Sequence, residues 1–196
     1  MQPPVPTVVA SRRLSVLVFA FVAISAVASG PRIAAAQDVF SFLWNGGSRE
    51  VMPFSASYPA RQIIVSFGDR KLYWIHKTGE AISYPIAIPR EQSRWSGVTA
   101  VSNKAVNPAW TPTPTMLAEN PRLPRWVPGG HPMNPLGVRA LYLGASTYRI
   151  HGTDAPWTIG TAASKGCIRM YNEDVLDLYP RVPVGTKVTV TWQRYQ

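Results

Sequence analysis

The sequence predicts a mostly β fold with one short helix near its C-terminal end. The 196-residue chain contains nineteen prolines and seven tryptophans, which favour extended, loop-rich structure over a helical bundle. Short runs of β-branched and aromatic residues recur between turn-forming residues, as expected of strands. Helical spacing of apolar residues occurs only after Met170. With 46% hydrophobic residues, a chain of this length can form one domain with a sizeable core.

The N-terminal segment, residues 1–36, has the composition of a signal peptide. Arg12 and Arg13 precede an apolar run over residues 14–28, and alanines ending at Ala36 supply the small residues of a cleavage site. The run is too short for a confident membrane span. We therefore expect cleavage after Ala36, export to the periplasm and no stable membrane anchor. An uncleaved anchor is the alternative.

The chain is strongly basic. The formal net charge is +10, and three of the positive charges precede residue 37, where no acid occurs, which leaves +7 for the rest. A basic surface suits a polyanionic partner. Lysines and arginines are scattered and form no long run, so nucleic-acid binding is weakly supported. A carboxylate-rich envelope polymer is at least as good a partner.

The strands are predicted from residue 61 onwards. Residues 37–60 show no clear period and are expected to be a linker or an N-terminal arm. Pro85 falls inside one strand-like run and predicts an edge position or a bulge. The strand-like segments are a hairpin over residues 63–75, then 82–88, 140–144, 148–150 and 187–192.

One helix is predicted after the strand-like segments. Asn172 is expected to be its N-cap, and Val175, Leu178 and Tyr179 share one face at helical spacing, which indicates a core-facing side. Pro180 is expected to end the helix because proline lacks the backbone donor.

Residues 151–170, HGTDAPWTIGTAASKGCIRM, contain the only cysteine of the chain, Cys167, and one of its three histidines, His151. A thiol with a pKa of about 8.5 needs a neighbouring base or cation to react as thiolate. His151 is the candidate base, and Lys165 and Arg169 supply positive charge. A lone cysteine in an exported chain suggests either intermolecular pairing or a free reactive thiol. A buried structural cysteine is the alternative.

The residues before Cys167 predict a sharp turn. Gly166 would let the backbone turn and allow a substrate close to the main chain. A helix starting after the cysteine would leave N–H groups free to hold an oxyanion. Ser164 is expected to support this turn rather than to react.

The H-G-T pattern at 151–153, with S-K-G-C-I-R-M at 164–170, resembles the signature of the L,D-transpeptidase catalytic domain, also called the YkuD-type domain. The strings NPAWTPT from Asn107 and NPLG from Asn134 add to the resemblance. It covers residues 61–192 and implies a YkuD-type β-sandwich with a short helix following the catalytic cysteine. Residues 193–196 are then a C-terminal tail.

The resemblance also implies roles for individual residues. Cys167 would be the acylated nucleophile and His151 its base, with the backbone carbonyl of Gly152 orienting the ring. Many members have histidine where this chain has Lys165, which leaves His151 as the only base in the segment. Four residues are candidates for substrate binding, each with a structural role as the alternative: Arg169, Lys165, Trp157 and Asn134.

The implied activity is acyl transfer on peptidoglycan stem peptides. The cysteine would attack the carbonyl of the third stem residue, which is meso-diaminopimelate in Gram-negative bacteria, and the thioester would pass to an amine to give a 3-3 cross-link. Hydrolysis by an L,D-carboxypeptidase and attachment of an outer-membrane protein are alternatives, and so is a non-catalytic wall-binding module. No cofactor is expected. No metal is expected either, because one cysteine and three distant histidines do not match zinc-ligand spacings.

Overall fold

The structure is a computed structural model that describes residues 49–196. The expected signal peptide, its cleavage site and most of the expected linker lie outside the described residues. Within residues 49–196 the chain forms ten strands and two short α-helices. No helix in this part of the chain has the length and apolar character needed to cross a bilayer.

The strands are β1 (Glu50–Pro53), β2 (Gln62–Ser66), β3 (Lys71–Lys77), β4 (Glu80–Pro89), β5 (Gly97–Val106), β6 (Arg139–Leu143), β7 (Arg149–His151), β8 (Ala162–Ser164), β9 (Ile168–Met170) and β10 (Lys187–Thr191). The helices are α1 (Pro114–Glu119) and α2 (Asn172–Arg181), with 3-10 helical turns at Glu91–Ser93 and Pro156–Thr158.

The strands form one sheet that curls back on itself. Its order is β1-β4-β3-β2-β10-β5-β6-β7-β9, and β9 also pairs with β4 near the start of that path. The long strand β4 makes this closure, because its first half pairs with β1 and β3 and its second half with β8 and β9. The mostly β prediction is confirmed, and the layers of the expected sandwich are joined at their edges.

The interior of the curled sheet holds the main core. Buried side chains of β2, β4, β6, β7, β9 and β10 meet there, and Val175 and Leu178 of α2 pack on them. The predicted core face of this helix is confirmed for these two residues. Burying side chains of this size stabilises the fold by about 1.5–3 kcal/mol each.

The predicted hairpin and third strand are confirmed as β2, β3 and β4. Pro85 lies in β4 between Ser83, where pairing with β1 ends, and Ile86, where pairing with β9 begins. Neither β1 nor β9 pairs with Pro85, so its missing N–H costs no hydrogen bond on that side. The predicted edge position therefore holds locally.

Five elements were absent from the sequence prediction: strands β1, β5, β8 and β9 and helix α1. Strands β1, β8 and β9 are only three or four residues long, too short to show a period. Strand β5 was missed because Val101 is the only buried residue in it, so apolar alternation is weak. Helix α1 buries no residue fully, and only Met116 and Leu117 are partly buried. Its sequence signals are Pro114 in the first turn and Thr113, whose side chain accepts a hydrogen bond from the Met116 N–H at 3.3 Å.

Two expectations for α2 were wrong. The cap residue is Tyr171, and the side chain of Asn172 instead reaches across to the strand loops beside β7. The helix also continues past Pro180 to Arg181. Pro180 is exposed and falls in the last turn, where one lost hydrogen bond costs less than in a helix interior.

Both ends of the described chain are held by the sheet: the N-terminal end as its first strand and the C-terminal end by side-chain and backbone contacts. Residues 50–53 of the expected arm are strand β1, paired with β4. In the expected tail, the centres of the Tyr195 and Phe54 rings are 4.9 Å apart. The backbone N–H of Tyr195 donates to the carboxylate of Asp69 at 2.8 Å. These contacts cover a second small apolar cluster that includes Tyr73 and Ile75.

Candidate active site

Two neighbouring strands bring His151 and Cys167 together. Strands β7 and β9 pair in parallel, with Ile150 opposite Ile168 and His151 opposite Arg169. Cys167 directly precedes β9, so the sheet fixes its position relative to the end of β7. The strands predicted over residues 140–144 and 148–150 are confirmed as β6 and β7, and β7 ends at His151.

His151 and Cys167 line the same cavity, whose volume is about 420 Å³. Its lining includes residues of the segment from Trp110 to Leu123, which contains α1, and of the segment from Ala163 to Arg169, which contains the nucleophile. Trp110, which belongs to the NPAWTPT string, is one of the residues that line the cavity.

The imidazole of His151 is held as one tautomer. Its side chain is 3% exposed, and Nδ1 lies 2.5 Å from the carbonyl oxygen of Gly152. A carbonyl only accepts, so Nδ1 carries the hydrogen and the lone pair is on Nε2. Burial, and then the charge of Arg169, lower the pKa of His151 to about 3. The ring is therefore neutral and ready to accept a proton at neutral pH.

Asn172 holds the carbonyl that orients His151. Its Oδ1 accepts from the N–H of Thr153 at 3.1 Å, and its Nδ2 donates to the Thr153 carbonyl at 3.0 Å. A Cβ on Gly152 would overlap Asn172 Oδ1, so glycine is required for this close approach. Sequence reasoning missed this role because Asn172 was assigned to helix capping.

Cys167 is half-buried and is a thiol in the resting site. Burial raises its pKa, while Arg149 and Arg169 lower it in part. The Sγ atom donates weakly to the carbonyl of Thr147 at 3.9 Å. The thiol is neither sealed in the core nor spontaneously ionised, so it needs a base to become a nucleophile.

Arg149 is a functional candidate that sequence reasoning missed. It lies two residues before His151 on β7, and side chains at that spacing share a face of a strand. It lines the cavity and lowers the pKa of the cysteine. The cationic role assigned to Lys165 falls to Arg149 instead, since Lys165 is paired with Glu119.

The loop before Cys167 is rigid. Gly166 has φ of +127°, and a Cβ there would overlap the ring of Tyr148. Trp95 stacks on Tyr148 at 4.8 Å and donates from Nε1 to the Gly166 carbonyl at 3.0 Å. Ser164 donates to the Cys167 carbonyl at 2.5 Å, which is the turn-supporting contact expected of it.

The expected helix start directly after the cysteine is wrong. Strand β9 follows Cys167, and α2 begins only at Asn172. Backbone donors for an oxyanion would therefore come from the tight loop around Gly166 and not from a helix N-terminus. The cause is pairing on both sides, which keeps this segment extended: Ile168 and Arg169 pair with β7, and Arg169 and Met170 pair with β4.

The expected substrate-binding residues divide into two groups. Arg169 and Lys165 line the cavity. Trp157 is 78% exposed and does not line it, and Asn134 is 1% exposed. The amide of Asn134 is fully used: it donates to the carbonyls of Pro108 at 2.8 Å and Pro128 at 2.9 Å and accepts from Leu136 at 2.9 Å. These hydrogen bonds give Asn134 a structural role, because they hold the loop that contains Leu136.

A second cavity of about 450 Å³ adjoins the first and shares Trp110, Leu123 and Pro135 with it. His131 lines this second cavity, and its Nδ1 accepts from the Met133 N–H at 3.1 Å. Among the described residues, no three of histidine, cysteine, aspartate and glutamate are grouped so as to hold a metal ion.

A thiol and a neutral imidazole of fixed tautomer beside one open cavity define a cysteine acyltransferase or hydrolase site. The family model of the YkuD L,D-transpeptidase catalytic domain matches residues 60–190. The chain belongs to this family.

Named relatives agree with this family. The probable L,D-transpeptidases ErfK/SrfK and YbiS of Escherichia coli K12 are 38% and 39% identical over 160 residues, or 76% of this chain. The chain spans about half the length of these relatives, 51% and 52%. A putative L,D-transpeptidase of Fuscovulum blasticum is 41% identical over 120 residues, covering 60% of this chain and 62% of that protein.

Solved structures show the same fold at low identity. The Ldtfm–avibactam carbamoyl enzyme has a TM-score of 0.56 at 19% identity, covering 70% of this chain and 51% of that one. L,D-transpeptidase 3 of Mycobacterium tuberculosis has a TM-score of 0.53 at 18% identity, covering 68% and 61%.

Proposed function

We propose that the protein is an exported cysteine L,D-transpeptidase that acts on peptidoglycan tetrapeptide stems through a thioester on Cys167. One observation carries the proposal: Cys167 and a His151 of fixed tautomer line the same open cavity. Family membership and the names of the relatives supply the substrate class. The site of action would be the periplasm, after removal of residues 1–36.

The first chemical step is attack by the thiol. His151 Nε2 takes the proton of Cys167 as Sγ attacks the carbonyl of the third stem residue. Because the pKa of His151 is low and that of Cys167 is raised, a resting thiolate–imidazolium pair is disfavoured. Proton transfer therefore accompanies attack. Arg149 and Arg169 stabilise the negative charge that develops on sulfur.

The second step is collapse of the tetrahedral intermediate. Backbone N–H groups around Gly166 and Cys167 are the proposed oxyanion donors, and one such donor contributes about 3–4 kcal/mol. The fourth residue, D-alanine, leaves with the proton from His151, and the acyl group stays on sulfur. An acceptor amine then loses its proton to His151 and takes the acyl group, which frees the thiol.

The acceptor decides the product. An amine of a second stem gives a 3-3 cross-link, water gives L,D-carboxypeptidase activity, and an amine of an outer-membrane protein gives covalent attachment to the wall. Arg90, Arg149 and Arg169 in the cavity lining favour ligands with carboxylates, which stem peptides carry.

Mass spectrometry with a carbapenem tests the acyl-enzyme directly. We expect one adduct per chain on Cys167 and none on Cys167→Ala. Muropeptide analysis after incubation with tetrapeptide stems should show cross-linked or trimmed products with the unaltered protein only. If both proteins bind wall sacculi equally and neither alters muropeptides, the chain is a wall-binding module and the proposal is wrong.

A further inference from the structure

The active-site cavity contains an ion pair that the mechanism above does not use. Lys165 lies two residues before the nucleophile, and its Nζ donates to Oε2 of Glu119. Glu119 is the last residue of α1 and also lines the cavity. The pair therefore joins the nucleophile loop to a helix 46 residues away in the chain.

Glu119 is the one acidic residue among the described residues that line this cavity. Besides Lys165, the charged residues that line the cavity are Arg90, Arg149, Arg169 and Glu119. Arginines suit carboxylates of a stem peptide. A carboxylate such as Glu119 repels those groups and suits an ammonium. In the structure the ammonium that occupies it belongs to Lys165.

The pair is accessible and can exchange partners. The side chain of Glu119 is 55% exposed and that of Lys165 is 31% exposed. Ion pairs open to solvent are weak, because water competes for both charges. A ligand that offers each member a new partner can therefore separate them at small cost.

We propose that Glu119 and Lys165 together recognise a zwitterionic amino-acid head group, in which one carbon carries both an ammonium and a carboxylate. Glu119 accepts the ammonium and Lys165 donates to the carboxylate. Two ion pairs replace one, and no charge is left unpaired. A lysine-type end group offers only the ammonium and would leave Lys165 without a partner.

This inference rests on the proposed function for the origin of the head group. The side chain of a diaminopimelate at the third stem position ends in such a group, a few bonds from the carbonyl that Cys167 attacks. A free amino acid that enters as acceptor has the same chemistry. The donor is favoured because Lys165 and Cys167 are two residues apart, on the loop that meets the reacting carbonyl.

Three tetrapeptide donors that differ only at the third residue test the inference: meso-diaminopimelate, L-lysine and norleucine. The measurement is kcat/KM for D-alanine release without an added amine. We expect Lys165→Gln to lower the diaminopimelate-to-lysine ratio about tenfold, and Glu119→Gln to lower the lysine-to-norleucine ratio similarly, since each change removes one charged hydrogen bond. Glu50→Gln and Lys187→Gln, which alter exposed charges outside the cavity, should keep the ratios of the unaltered protein.

A purely structural latch gives a different result. If the ion pair only holds α1 in place, both cavity variants lower kcat/KM for all three donors in the same proportion, and the inference is overturned. If the ratios stay constant but both variants raise the KM of a free D-amino acid acceptor, the same head-group site serves the acceptor. Unchanged ratios with unchanged acceptor KM also overturn the inference.

Binding separates failure of this inference from failure of the proposed function. Calorimetry with Cys167→Ala measures the Kd of each donor without chemistry. We expect the same ratios, and Lys165→Gln in that background should remove the preference for diaminopimelate. If the unaltered protein neither forms the carbapenem adduct nor releases D-alanine while this preference persists, the proposed function fails and the head-group site stands.

Discussion

The carbonyl oxygen of Gly152 lies 2.5 Å from Nδ1 of His151 and fixes which ring nitrogen carries the hydrogen. A carboxylate in this place would stabilise an imidazolium, whereas a neutral carbonyl does so only weakly. Burial and Arg169 then keep the pKa of the ring low. The site is thus arranged for a neutral base beside a neutral thiol.

This arrangement predicts the pH dependence of acylation. The folded-state pKa of His151 is about 3, so the ring stays neutral and able to accept a proton throughout pH 5–8. We expect the rate constant for carbapenem acylation to show no loss near pH 6.5, and to rise in alkaline solution as the thiol ionises. Stopped-flow fluorescence from pH 4.5 to 9 measures it. A bell-shaped profile with an acidic limb near 6.5 would instead indicate a resting thiolate–imidazolium pair.

The second prediction concerns Asn172, whose side chain bonds to the backbone of Thr153 and also accepts from the N–H of Val138 at 3.4 Å. Asn172→Ala removes the hydrogen bonds at 3.1 and 3.0 Å to Thr153 and frees the loop that orients His151. We expect about a tenfold loss in the rate of acylation, and about 1–3 kcal/mol of lost stability because buried backbone groups lose partners.

Asn103→Ala is the matched control for Asn172. Asn103 is exposed on β5. Among residues 49–196 its side chain makes one hydrogen bond, which it accepts from the neighbouring N–H of Lys104. Acylation by that variant should equal that of the unaltered protein. Equal rates for both variants, with a normal pH profile, would mean that Asn172 does not position the base.

The third prediction separates two costs at Gly166. In Gly166→Ala the new Cβ overlaps Tyr148, and φ of +127° strains any residue with a side chain. Gly185 is the control, because its φ is +89° but nothing lies within 4 Å of a Cβ there. We expect Gly185→Ala to cost about 1 kcal/mol from strain alone. Gly166→Ala should cost more and reduce the carbapenem adduct at least tenfold.

A double variant tests the contact at Gly166 itself. Tyr148→Ala removes the ring that Cβ would meet, so in that background Gly166→Ala should cost no more than Gly185→Ala does. Chemical denaturation measures each free energy of unfolding. A full, additive cost in the double variant would show that the tyrosine is not what excludes a side chain.

The sequence was sufficient for the chemistry of the nucleophile segment and insufficient for its supports. Cys167 and His151 were found because a lone thiol and a histidine within this motif indicate a nucleophile and its base. Trp95, Tyr148 and Asn172 were missed because their roles depend on contacts between segments distant in the chain: Trp95 donates to Gly166 across 71 residues. Polar residues at the start of a helix look like caps, and only the fold shows that Asn172 bonds elsewhere.

Whether a strand or helix could be predicted depended on how much apolar surface it buries. Strands that bury one face or both faces were recognised from their runs of β-branched residues. Examples are β2, β3 and β10. Strand β5 and helix α1 carry little buried apolar surface, so their periodicity is weak. Helix α1 lines the cavity, where side chains face a ligand site and not a packed core.

The fourth prediction concerns Arg149. Its charge lowers the pKa of Cys167, so Arg149→Gln should raise that pKa and slow alkylation of the thiol by iodoacetamide at pH 8. Removing a nearby charge of this kind changes a pKa by about one unit, which predicts a several-fold slower reaction. Arg122→Gln, at an exposed site outside the cavity, should react as the unaltered protein does. Faster alkylation in Arg149→Gln would show that the guanidinium mainly blocks access to sulfur.

The last prediction concerns stability and Asp174, which is 1% exposed in the first turn of α2. Neither carboxyl oxygen has a hydrogen-bond partner among the described residues. Burial raises the pKa of Asp174 to about 7, far above the 3.8 of an exposed aspartate. Between these values the folded state holds a proton that the unfolded state releases. This group's contribution to stability is therefore complete below about pH 4 and is lost as the pH rises to about 7.

Asp174→Asn removes this linkage because the amide does not titrate. We expect the variant to gain stability relative to the unaltered protein as the pH rises from 4 to 8, by roughly 2–4 kcal/mol at most, since each pKa unit corresponds to about 1.4 kcal/mol. Thermal unfolding at pH 4, 6 and 8 measures the trend, with Asp177→Asn as a control of opposite sign. Asp177 is paired with Arg181 and Tyr84, which lower its pKa, so that variant should lose stability above pH 4. Parallel curves for Asp174→Asn and the unaltered protein would show that Asp174 is ionised in the folded state and finds a partner there.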